Sequence, residues 1–306
     1  MPRKKESWRH RFEFRCFSLL LLLVRILPEG FLLFVLKNFV FFFSLLGKRY
    51  NRVLRNNLRQ AFPELSSREQ TRLRRSVYLH FSRLLADNLS LLTGKRNINK
   101  KTLKISGLEI LESSLKQGRG VILFSAHLGN WELIPFLLAG KTGRRITNIA
   151  RPMDNPLVEG LVSKFREHPG TAIVYKKNAL RVILARLKNN EMVGVLIDQN
   201  TVPKEGCFVD FFGRPATVNP VMVQLSLKKS IPLVGAFLHY DDADAVHLEI
   251  GPKMPLQDYQ DSGGLNRLLQ DMTGVIENKI RAHPEQWLWF HNRWKTKPQG
   301  EHNEIR

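Results

Sequence analysis

From residue 121 the chain alternates two kinds of segment, and that alternation restricts its fold more than any other feature. "VILFS" (121–125), "ITNIA" (146–150), "TAIVY" (171–175) and "EMVGVLID" (191–198) are short apolar runs of strand length. Between them, residues 131–139, 156–168 and 178–190 carry the spacing of helices. Strands separated by helices and short connections build a parallel sheet, because each crossover returns the chain in the same direction. "KTLKISGLEILESSLKQGRG" (101–120) reads as a strand, a turn at Gly107, a helix and a glycine stop. "FFGRPATVNPVMVQLSLKKS" (211–230) leads into a helix, 231–240 and 245–251 read as strands, and 264–283 as a helix. The fold class expected is α/β, a mostly parallel central sheet flanked by helices. No internal repeat or low-complexity linker divides residues 47–306, which read as one domain.

Upstream, residues 47–93 read as helices. In "NRVLRNNLRQAF" (51–62), Val53, Leu54, Leu58, Ala61 and Phe62 share a helical face with arginines opposite. Ser66 or Ser67 caps the next helix, with Glu69 in its first turn. The many arginines here read as a solvated face.

Residues 1–46 begin with a basic stretch (Arg3, Lys4, Lys5), followed by apolar runs at 17–24 and 31–46. Arg25, Pro28, Glu29 and Lys37 interrupt them. A spanning helix needs about 20 mostly apolar residues. A tilted span, a broken helix and two interfacial helices all fit, and no signal-peptide cleavage site follows. This segment is expected to be an uncleaved membrane anchor. The 306 residues carry 48 Lys+Arg against 27 Asp+Glu, a formal charge of +21, which requires an anionic partner. The membrane-like N-terminus, with no zinc-finger or RRM signature, favours a lipid surface over nucleic acid. Cys16 and Cys207 cannot form a zinc site or a disulfide framework.

In parallel α/β sheets, ligands bind beyond the carboxyl ends of the strands. "HLGNWE" (127–132), "RPMDNP" (151–156) and "DQN" (198–200) all fall there. A carboxylate on one nitrogen of His127 would fix its tautomer and make the other a general base, and Glu132 is the carboxylate near in sequence. A structural histidine at a strand end is the other reading. The second histidine of a zincin motif is missing, so no metal site is expected. No Gly-x-Ser-x-Gly elbow surrounds Ser125, so direct attack by a substrate hydroxyl is expected rather than a covalent acyl-enzyme. Arg151 suits a phosphate or an ion pair with Asp154 or Asp198; Asp198 suits a turn cap or a residue ordering the site. "QWLWFHNRWKTKP" (286–298) reads as a final strand with core aromatics and one substrate-facing arginine.

Taken in order, "NLRQAFPELS", "SAHLGNWE", "ARPMDNP", "DQN" and "QWLWFHNRWKTKP" resemble the bacterial late lipid A acyltransferases (lauroyl and myristoyl transferases). These belong to the His-x4-Asp/Glu glycerolipid acyltransferase superfamily. The resemblance covers nearly the whole chain. It implies a glycerolipid acyltransferase-like fold, with residues 1–46 as membrane anchor or interfacial helix and 47–306 as the acyltransferase domain. It implies an enzyme on the cytoplasmic face of the bacterial inner membrane. The reaction implied moves a fatty acyl chain from acyl-carrier-protein thioester to a hydroxyl of a Kdo-bearing or related anionic lipid A precursor. His127 is then the general base and Glu132 its orienting partner, with Asn130, Arg151, Asp198 and Arg293 binding substrate or shaping the pocket. Asn292 stands where many members carry a second arginine, leaving Arg293 as the candidate. The resemblance implies no metal and no bound cofactor, since phosphopantetheine arrives with the carrier. Acylation of another glycolipid or a glycerophospholipid, and a non-catalytic basic membrane or nucleic-acid binder, are the alternatives.

Overall fold

The computed structural model describes residues 7–95, 102–167, 170–175, 179–243 and 245–298. Four helices come first: α1 (Trp8–Ile26), α2 (Glu29–Leu46), α3 (Lys48–Ala61) and α4 (Ser67–Leu92). The α/β part then runs β1 (Leu103–Ser106), α5 (Leu108–Leu115), β2 (Val121–Ser125), α6 (Ile134–Thr142), β3 (Ile146–Ala150), α7 (Pro156–Arg166), β4 (Thr171–Tyr175), α8 (Ala179–Lys188) and β5 (Met192–Leu196). It ends with β6 (Cys207–Asp210), β7 (Pro215–Val218), α9 (Val221–Lys229), β8 (Leu233–Tyr240), β9 (Val246–Lys253) and α10 (Gly264–Ala282).

The main sheet has seven strands in the order β1-β9-β8-β2-β5-β3-β4. All neighbours are parallel except β8 and β9. The expected architecture is therefore the one observed. β2 lies in the middle, buried at all five positions, as a strand covered on both faces must be. Alternate residues feed two cores. Ile122 and Phe124 join the side covered by α3, α8, α9 and α10, while Val121 and Leu123 join the side covered by α5 and α6.

Two elements differ from the sequence reading. The antiparallel hairpin β6–β7, around Phe212 and Gly213, lies where only a lead-in to a helix was expected. Residues 286–298 form no strand. After a 3-10 turn at Pro284–Gln286 they thread as a loop, whose sheet-type pairing is one isolated bridge between Leu128 and Trp287. Their aromatics are core nonetheless. Trp287 and Trp289 are fully buried, with Phe62, Phe211 and Phe212 packed edge-on and tilted around them and Trp294 packed on Phe211 and Phe212. A loop can be buried when its backbone polar groups find partners. Here Asn57 of α3, itself buried, donates from Nδ2 to the carbonyls of Trp289 and His291, both at 2.7 Å.

The N-terminal residues form two helices that turn at Leu27–Pro28. Val24, Leu32 and Leu36 pack on Ala86 and Leu89 of α4. Asn155, at the start of α7, donates to the His10 carbonyl and to Glu13. The opposite side exposes Phe12, Leu19, Leu22, Phe31, Phe34 and Phe42. Among the described residues no helix is long and apolar enough to cross a membrane. Arg3, Lys4 and Lys5 lie outside the described residues. The capping box expected at the start of α4 is formed by Ser66 and Glu69.

Replacing Asn57 by alanine removes the donor for two buried carbonyls. We expect a loss of roughly 2–4 kcal/mol in unfolding free energy, measured by denaturant titration followed by tryptophan fluorescence.

Candidate active site

β2 and β5 are adjacent, with Ser125 opposite Leu196. Two residues beyond that pair, the strands deliver His127 and Asp198 to the same place. The Nδ1 of His127 lies 2.7 Å from Oδ1 of Asp198, and the backbone N–H of His127 donates to Oδ2 at 2.8 Å. The indole N–H of Trp287 donates to that same Oδ2 at 2.7 Å. An ionised carboxylate only accepts, so Nδ1 carries a proton, and in the neutral ring the lone pair then lies on Nε2. Gln199 Nε2 sits 3.2 Å from Nε2 of His127.

Burial raises the Asp198 pKa, but the imidazole charge, the two His127 hydrogen bonds and the Trp287 indole more than offset it. The carboxyl is held at about 2.

The loop after β2 is fixed tightly. Gly129 has φ +56°, and a Cβ there would lie 2.0 Å from the carbonyl oxygen of Leu238. Its N–H donates to the Gln286 carbonyl, and Leu288 N–H donates to the His127 carbonyl. The Gln286 side chain pairs with both backbone groups of Tyr240 at the end of β8.

His127 faces a cleft of about 360 Å³. Its floor is apolar, with Leu123, Ile146, Ile173, Val195 and Ala236. Its polar side carries His127, Glu132, Arg151, Arg166 and Gln199. Ser125 also lines it, with a buried hydroxyl that has no partner. Gly194 on the floor leaves room that Asn148 fills; a Cβ at 194 would lie 2.3 Å from Asn148 Oδ1.

The expected contact between His127 and Glu132 is not made. Glu132 instead forms a bidentate pair with Arg166 at the end of α7, at 2.5 and 3.0 Å. Trp131 turns toward the imidazole, edge-on at 4.9 Å, while Glu132 points along the cleft wall. Arg293 is the second correction. It is 1% exposed and cannot face a substrate: Nη1 donates to the Thr217 carbonyl and the guanidinium lies over Phe211. Burial pushes it down to about 10, and the negative charge of Asp198 works against that shift. Arg293 thus acts behind the site, as a buried cation facing its carboxylate. Asn130 is fully buried, donates to Asn88 of α4, and shapes the loop from behind. Arg151 stands at the cleft mouth with its side chain 88% exposed, 3.9 Å from Asp154 and not paired to Asp198. Arg166, Gln199 and Trp287 were not singled out as site residues from sequence. Their positions depend on which strands and loops are neighbours.

The family described as bacterial lipid A biosynthesis acyltransferase matches residues 1–296. The chain belongs to that family. It is an acyltransferase of lipid A biosynthesis. It is 27% identical over 266 residues to the lipid A biosynthesis palmitoleoyltransferase of Escherichia coli, covering 83% of this chain and 81% of the relative. The lauroyltransferase of the same organism matches with the same identity and coverage. The phosphatidylinositol mannoside acyltransferase of Mycobacterium tuberculosis is 24% identical over 194 residues, covering 62% of this chain and 59% of the relative.

Among the described residues of the acyltransferase there is one further cluster of ligand-type side chains. His239, Glu249 and His283 place ligand-type atoms within 4.8 Å of one another. The rings of His239 and His283 stack nearly parallel at 3.9 Å, which does not aim both lone pairs at one point. Lys279 already pairs with Glu249. The cluster reads as a packed histidine stack.

The Asp198 carboxyl has its folded pKa depressed from 3.8 to about 2. Its ionised form therefore contributes stability that is fully present above about pH 4 and lost as pH falls through about 2. The melting-temperature gap between wild type and Asp198→Asn should narrow over that interval. Thermal unfolding at stepped pH measures it.

Proposed function

We propose that this acyltransferase moves a fatty acyl chain from an acyl-carrier-protein thioester to a hydroxyl of an anionic lipid A precursor, with His127 as general base. The observation that carries this reading is the His127–Asp198 pair, with Nε2 turned to an apolar cleft and met there by the Gln199 side-chain amide. Nε2 takes the acceptor proton as the hydroxyl oxygen attacks the thioester carbonyl. The tetrahedral intermediate collapses, the C–S bond breaks, and the imidazolium returns the proton to the departing phosphopantetheine thiolate. Asp198 orients the ring and stabilises its charged form. Gln199 and Ser125 line the same cleft as His127 and can donate to a developing oxyanion.

The apolar floor suits the acyl chain. Arg151 is exposed at the mouth and suits a phosphate, whereas Arg166 is already occupied by Glu132. We place the chain on the cytoplasmic face of the bacterial inner membrane. The apolar outer side of α1 and α2 and the +21 charge support this, and an acidic carrier protein suits the same charge.

His127→Ala should abolish acyl transfer in membranes while leaving the fold intact. Asp198→Asn should lower kcat by roughly 10²–10⁴. Arg151→Ala should mainly raise KM for the acceptor. Full activity in His127→Ala would remove the mechanism. Mass spectrometry of lipid A from a deletion strain tests the substrate. The expected result is loss of one acyl chain; an unchanged lipid A would move the acceptor to another glycolipid, the class named by the mycobacterial relative.

A further inference from the structure

The arginines of α3 and α4 read from sequence as a solvated face, but the structure gathers them around a groove. Lys37 of α2, Lys48, Arg52 and Arg55 of α3, and Arg74 and Arg75 of α4 line a hollow of about 860 Å³. A smaller hollow of about 220 Å³ shares Arg55 and Arg74 and adds Arg59. Among the described residues, no carboxylate lines either one. α3 contains no acidic residue, and its cations at 48, 52, 55 and 59 follow the i, i+3, i+4 spacing of one face. Like charges at that spacing destabilise a helix. Such a row is sustained most easily by an anion lying along it.

The apolar surroundings select the anion. Leu79 lines the groove and is 46% exposed. Phe34, one turn before Lys37 on α2, is 62% exposed, and Phe31 and Phe42 continue the exposed aromatic side of that helix. An acidic protein would meet the cations but leave these rings in water. A phosphorylated lipid meets both, with its phosphate among the arginines and its chains along the phenylalanines.

We propose that the groove between α2, α3 and α4 binds the phosphate of an anionic membrane lipid, at a site separate from the acyl-transfer cleft. This rests on the membrane association proposed above and gives it headgroup selectivity. The site holds the enzyme at the surface where its acceptor resides, through residues that take no part in the acyl-transfer chemistry.

The test is co-sedimentation of the full-length protein with vesicles of phosphatidylcholine alone and of phosphatidylcholine mixed with phosphatidylglycerol. Wild type should prefer the anionic vesicles. The variant R52Q/R55Q/R74Q/R75Q should lose about tenfold or more in partitioning to them. The double variant R52Q/R55Q, confined to exposed side chains, should lose about threefold. A control removing four exposed lysines elsewhere, K188Q/K228Q/K229Q/K253Q, should bind like wild type. Circular dichroism melting verifies that each variant folds. Inorganic phosphate should displace the protein no better than chloride at equal ionic strength.

Equal losses in the control would reduce the groove to diffuse charge and overturn the site. So would wild-type binding by the quadruple arginine variant. Selective displacement by inorganic phosphate would make a free anion the ligand. Intact vesicle binding with lost capture of acyl carrier protein would transfer the groove to that partner. A wild-type protein that binds neutral and anionic vesicles equally contradicts the groove alone, whereas one that binds neither contradicts membrane association itself.

Discussion

The Asp198 carboxylate joins three separate parts of the chain. It accepts from the backbone and the ring of His127 after β2, and from the indole of Trp287 in the C-terminal loop, while standing itself at the end of β5. A buried charge is tolerated only when its acceptor capacity is met and a counter-charge lies near. Three donors meet the first condition, and the buried Arg293 guanidinium meets the second. The same bonds that make the carboxylate tolerable fix the proton of His127 on Nδ1. Stability and chemistry therefore share one constraint.

Why the C-terminal loop is so heavily aromatic follows from this. It has no sheet partner beyond one bridge, so it is held by Asn57, by Gln286 and by the packing of Trp287, Trp289 and Trp294. Moving that loop would withdraw a donor from Asp198 and release the turn at Gly129 together.

Much of this was legible in the sequence because it depends on local pattern. Strand and helix alternation gave the parallel sheet, and "SAHLGNWE" placed His127 at a strand end. What escaped depends on which strands are neighbours. His127 and Asp198 are 71 residues apart, and their contact follows from β5 inserting between β2 and β3 with Ser125 opposite Leu196. Sequence proximity pointed instead to Glu132, but the turn that starts at Gly129 carries its carboxylate to Arg166. Arg293 misled for a related reason: a final strand would alternate core aromatics with one substrate-facing arginine, whereas the loop folds this guanidinium over Phe211. The β6–β7 hairpin was hidden by its short strands and by the prolines beside them.

The central claim is that Asp198, and not Glu132, holds the His127 ring, and nuclear magnetic resonance of the imidazole tests it directly. With ¹⁵N-labelled histidine, wild type should show a far-downfield Nδ1–H proton for His127, with Nε2 at the shift of an unprotonated nitrogen in the neutral ring. That proton should persist in Glu132→Gln and disappear in Asp198→Asn. The reverse pattern, persistence in Asp198→Asn and loss in Glu132→Gln, would contradict the account.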